Sequence, residues 1–138
     1  MKKITKASFI ILLTLIMCLT SITASANNQN GITPRLSHIE DTYFNFSAAS
    51  GSGVFSVRYV GLDSFVQAEL SVKLEKSVLL FFWSDMGTIR ATSDVQNGHF
   101  TNTFPLNGRG TYRATFTLTI TGTNGTVDTI TETITSTY

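Results

Sequence analysis

Between residues 65 and 75 the chain alternates. Val66, Ala68, Leu70, Val72 and Leu74 take one set of positions, and Gln67, Glu69, Ser71, Lys73 and Glu75 take the other. A period of two belongs to a strand with one buried and one wet face, because an amphipathic helix repeats its apolar stripe every three or four residues. The pattern recurs as Phe55, Val57 and Tyr59, and again as Tyr112, Ala114, Phe116, Leu118 and Ile120. Residues 111–138 also hold 12 threonines, a residue that suits a pleated, half-buried surface. Eight strands are predicted, near 42–48, 54–60, 65–75, 78–83, 88–94, 99–106, 111–121 and 127–137. Turn signals separate them, among them Gly51-Ser52-Gly53, Gly61-Leu62-Asp63, Asp85-Met86-Gly87, Asn97-Gly98 and Asn107-Gly108-Arg109-Gly110. Short strands at this spacing predict an all-β, antiparallel sandwich of seven to eight strands.

The 138-residue chain opens differently. Lys2, Lys3 and Lys6 precede an apolar run, 9–19, broken only by Thr14, and Ala24-Ser25-Ala26 follows. This is the layout of a secretory signal, too short for a membrane span of about 20 residues. Leu15-Ile16-Met17-Cys18 is a poor lipobox, with Met17 where a small residue is expected. The expected organisation is a signal peptide at 1–26, a polar lead-in at 27–41 and a sandwich domain at 42–138, secreted by a bacterium. Loss of the three lysines changes 10 basic against 9 acidic residues into 7 against 9, which argues against nucleic-acid binding. The sole cysteine, Cys18, leaves with the signal, so the sandwich is expected to lack a disulfide. No membrane contact is expected after processing.

Parity decides the last hairpin. Directly opposed antiparallel residues share a face, so the even-numbered apolar residues on both strands must meet. A three-residue loop, Thr123-Asn124-Gly125, satisfies that condition and places Gly125 in a left-handed conformation. Leu118 then opposes Ile130, Phe116 opposes Glu132, and Thr119, Thr117 and Thr115 oppose Thr129, Thr131 and Thr133. Glu132 is thereby aimed toward the core, and partial exposure or a salt bridge is expected there.

Leu106, Gly110 and Tyr112 resemble the tyrosine corner of immunoglobulin-like domains, and Trp83 resembles their core tryptophan. Ile32-Thr33-Pro34-Arg35, Leu74-Glu75-Lys76 with Trp83, Gly110-Thr111-Tyr112-Arg113 and Tyr138 are together similar to a group of small secreted proteins of Gram-positive bacteria of uncharacterised function. That resemblance implies export and an immunoglobulin-like sandwich, and carries no active site or ligand.

No chemistry-bearing motif emerges. His38 and His99 lack ligand-spaced partners, no G-x-S-x-G occurs, and no metal or cofactor is expected. The feature beyond a plain sandwich is Val78-Leu79-Leu80-Phe81-Phe82-Trp83, apolar on both faces of one strand. With Trp83, Leu79 and Phe81 inward, Val78, Leu80 and Phe82 would form an outward patch beside Arg113 and the threonines Thr117, Thr119 and Thr131. The expectation is a non-enzymatic module that binds a protein partner, or itself, through this face. The alternative is a carbohydrate-binding module with Trp83 or nearby aromatics outward as the sugar platform.

Overall fold

The computed structural model describes residues 36–79 and 81–138. The expected signal, the lead-in up to residue 35 and Leu80 lie outside the described residues. Seven strands make two antiparallel sheets. β1 (Ile39–Ala49), β2 (Ser52–Gly61) and β5 (Asn97–Pro105) form the three-stranded sheet in the order β1-β2-β5. β3 (Phe65–Leu79), β4 (Phe82–Ser93), β6 (Thr111–Gly122) and β7 (Val127–Thr137) form the four-stranded one in the order β4-β3-β6-β7. The result is an all-β antiparallel sandwich, as the alternation predicted, and it holds no disulfide, as the cysteine count implied.

The even-numbered side chains of β6, from Tyr112 to Ile120, are all fully buried, and Leu70, Val72 and Leu74 of β3 join them. Phe55, Val57 and Tyr59 of β2 face them from the other sheet. Phe116 sits where the layers meet, its ring centroid 5.5 Å from that of Phe44 and 6.0 Å from that of Phe55. The hydroxyl of Tyr112 donates to the Gly108 carbonyl, as expected of a tyrosine corner, and Leu106 packs against the core. The β6–β7 register follows the parity argument, with Leu118 opposite Ile130, Phe116 opposite Glu132 and Thr117 opposite Thr131. Gly125 has a φ of 75°. Glu132 is exposed, because β7 is an edge strand and its inner face is only partly covered.

Five expectations are corrected at the level of the fold. Seven strands are described, within the expected seven to eight, but the separate strand predicted at 78–83 is the end of β3, a turn and the start of β4. Asp85-Met86-Gly87 is a bulge within β4, with Gly87 at a φ of 122° and its amide bonded to Asp85 Oδ1. Gly98 lies inside β5, where it faces Tyr59; a Cβ there would fall 2.2 Å from the tyrosine hydroxyl. Val66 is exposed, because the β3–β6 register slips between Phe65 and Gln67. β1 also begins at Ile39, three residues before the strand expected in the sequence.

A Phe116→Ala variant is expected to lose about 3–5 kcal/mol in urea unfolding, since it empties the contact between layers. Thr117→Ala, one residue along on the outer face, should stay within about 0.5 kcal/mol. Equal losses would contradict this placement of the core.

Candidate functional site

The apolar run forms the tip of the β3–β4 hairpin. Leu79 pairs with Phe82 across the turn, and the last residue of β3 that pairs with β6 is Lys76, opposite Tyr112. Beyond Lys76 the hairpin leaves the sandwich, so no second sheet lies over it. Val78, Leu79, Phe81 and Phe82 are accordingly 55%, 68%, 86% and 64% exposed. Beneath the tip, a hollow of about 540 Å³ is lined by Lys76, Val78, Ser84, Met86 and Asn107 among others. The Lys76 ammonium donates to the Asn107 carbonyl and lies 5.5 Å from the Tyr112 ring centroid. The base of the tip is thus tied to the tyrosine corner.

Trp83 is outside the core, which corrects the expectation taken from the immunoglobulin resemblance. It stands opposite Ser77 on the outer face of the four-stranded sheet, and the Arg113 guanidinium covers its ring at 4.2 Å. At that level Tyr112 and Leu74 have already closed the interior, leaving no room for an indole. With Trp83 outward, Leu79 and Phe81 are exposed rather than buried.

Arg113 also donates through Nε and Nη2 to one carboxylate oxygen of Glu75, at 2.9 and 2.6 Å. Lys73 donates to the other oxygen at 3.0 Å, and Asp85 lies 3.9 Å from the same ammonium. Burial alone would raise the Glu75 pKa, but the bonds from Lys73 and Arg113 and their positive charges hold it below the usual glutamate range. The cluster therefore keeps Glu75 ionised and fixes the guanidinium over the indole.

The expected binding face does not form one patch. Val78 and Phe82 share the tip, and Leu80 lies outside the described residues. Arg113 sits on the outer face at the tip's base. Thr117 and Thr119 oppose Ser71 and Glu69. Ser71 is seven residues down β3 from Val78, roughly 23 Å at the rise of an extended strand. Thr131, opposite Thr117, is equally remote.

The sequence also gave no warning of a buried histidine at the other end. His38 is 2% exposed, with Nδ1 2.7 Å from Ser64 Oγ and Nε2 2.6 Å from Thr126 Oγ1. Gly122 makes room for the ring, because a Cβ there would fall 2.2 Å from it. Asp128 accepts the backbone amides of Ser37 and His38 rather than a ring proton. Buried, and without a carboxylate on its imidazole, His38 links β1, the β2–β3 turn and the β6–β7 hairpin. Among the described residues no group of three or more His, Cys, Asp or Glu is placed to hold a metal ion.

No protein-family model matches the sequence, and no curated protein matches it. Among solved structures, the fold is similar to part of a family 76 glycoside hydrolase from a bovine Bacteroides thetaiotaomicron strain, with a TM-score of 0.43 and 14% identity. The match covers 74% of this chain and 20% of that one, so the chain spans about a fifth of the hydrolase. A likeness this distant carries no argument about activity.

The Glu75 cluster generates a pH prediction. A carboxyl whose folded pKa is lowered contributes stability above its unfolded pKa and loses it as pH falls through the folded value. The urea midpoint should drop on acidification from about pH 5 to about pH 3. The Glu75→Gln variant should be less stable at neutral pH and lose less over that window. Parallel losses in the two proteins would show that Glu75 is not responsible.

Proposed function

We propose that this chain is an exported, non-enzymatic β-sandwich that binds a protein partner, or a second copy of itself, through the β3–β4 hairpin tip. The observation that carries the reading is the exposure of Val78, Leu79, Phe81 and Phe82 on one projecting turn. Two phenyl groups this exposed offer roughly 300 Å² of apolar surface, comparable to the largest patches that soluble monomers show. Holding such a surface in water is unfavourable, and a pocket on a partner relieves it. The tip is too small for a standard interface of about 800 Å² per partner. It therefore acts as an anchor within a wider contact that includes Lys76, Asn107 and the hollow beneath.

Export rests on the three-part layout of residues 1–26, and membership of the small Gram-positive secreted group rests on the motifs already described. The carbohydrate alternative asks for Trp83 or nearby aromatics to face outward; Trp83 does so, with Arg113 lying over its ring.

A photo-reactive benzoylphenylalanine placed at position 81 or at position 131 in the producing cells tests the reading. Protein adducts are expected from position 81 and not from 131, and they should disappear when Phe82→Asp is added. Sedimentation of the purified chain then separates self-association from a different partner. No adduct from position 81, or equal adducts from 131, would count against a protein contact at the tip.

A further inference from the structure

The outer face of the three-stranded sheet carries a second constellation, remote from the hairpin tip. Tyr43, Arg58 and His99 are direct cross-strand neighbours on β1, β2 and β5. Strand spacing puts the three within about 10 Å of one another. The next row is Asn45, Ser56 and Thr101. Tyr43, Ser56, Arg58 and His99 line a hollow of about 590 Å³.

Each member leaves something unused. Tyr43 is 55% exposed and offers a ring face. Arg58 has one ion pair among the described residues, to Asp41 at 3.7 Å, and both side chains are more than half exposed. A pair that long and wet holds the guanidinium only weakly. Ser56 Oγ lies 2.8 Å from His99 Nε2 and orients the ring. With Ser56 donating, the imidazole proton sits on Nδ1 and forms an outward donor. The Ser56–His99 pair has no carboxylate behind the ring among the described residues, so it lacks the third member of a hydrolytic triad.

We propose that this face binds a carboxylate-bearing sugar of the uronic acid type. An aromatic platform one strand away from a guanidinium suits a pyranose ring that carries its carboxylate as a substituent. The sugar's apolar face rests on Tyr43, and its carboxylate accepts hydrogen bonds from Arg58, with His99 on the far side. Asn45 supplies an amide partner for the ring hydroxyls, and the hydroxyl oxygens of Ser56 and Thr101, whose protons go to His99 and to the Phe55 carbonyl, can accept from them. A bare phosphate would use the cation and ignore the aromatic ring, and a neutral sugar would leave Arg58 to Asp41. The inference is independent of the protein contact at the hairpin tip.

Titration calorimetry with tetragalacturonate tests it. Saturable binding is expected, weakened about tenfold or more by Arg58→Met, the size of a lost charge-assisted hydrogen bond. Tyr43→Ala should weaken it as well. Asp41→Asn should bind at least as well as the parent, since it removes the competing carboxylate. Phe82→Asp should leave binding unchanged, which separates this site from the tip. The proposal is overturned by the absence of saturable binding up to about 10 mM. It is overturned equally if maltotetraose binds as well, if inorganic phosphate competes on equal terms, or if Arg58→Met retains full affinity.

Discussion

The contact of Phe116 with Phe44 and Phe55 is where the two sheets become one molecule. Around it, alternate residues of β2, β3 and β6 fill the interior from both sides, from Tyr112 at one end to Ile120 near the other. Burying these side chains drives the fold. The consequence concerns residues outside the core. Because the interior is complete at Tyr112 and Leu74, the apolar run that follows Lys76 along β3 has nowhere inside to go. Its exposure follows from a core filled by other residues.

Both ends of the sandwich are tied, by different means. At the tip's end, Tyr112 bonds back to Gly108, Gly110 and Tyr138 exchange backbone bonds at 2.9 Å, and Lys76 reaches Asn107. At the far end, His38 and Asp128 draw the start of β1 onto the β6–β7 hairpin. The Glu75–Arg113–Trp83 assembly stiffens the sheet where the hairpin departs. These ties hold the backbone at the base of the hairpin, while the exposed side chains at its tip keep their rotamer freedom.

Much of the fold was legible because β6, β7 and the first half of β3 obey strict alternation, and face and register follow from parity alone. The hydroxyl-to-backbone bond of Tyr112 was also readable, since L-x-x-x-G-x-Y places its parts locally. The errors share one cause: a local signal whose meaning depends on distant partners. Leu79 and Phe82 pair across a turn whose sequence holds no glycine, asparagine or aspartate, so composition pointed to a continuous strand instead. Gly98 suggested a turn, but its role is to leave space for Tyr59, which lies 39 residues away. Trp83 looked like a core residue by type, and only the position of Tyr112 shows that the core ends before it. His38 and the Tyr43–Arg58–His99 row draw residues from separate strands or turns, and no spacing along the chain announces them.

Trp83 is the only tryptophan in the chain, so its fluorescence reports directly on whether the core closes without it. Acrylamide should quench the native protein readily, with red-shifted emission that changes little on unfolding in urea, and Arg113→Ala should increase the quenching further. Blue-shifted native emission, protected from acrylamide until the protein unfolds, would place the indole between the sheets and contradict the account.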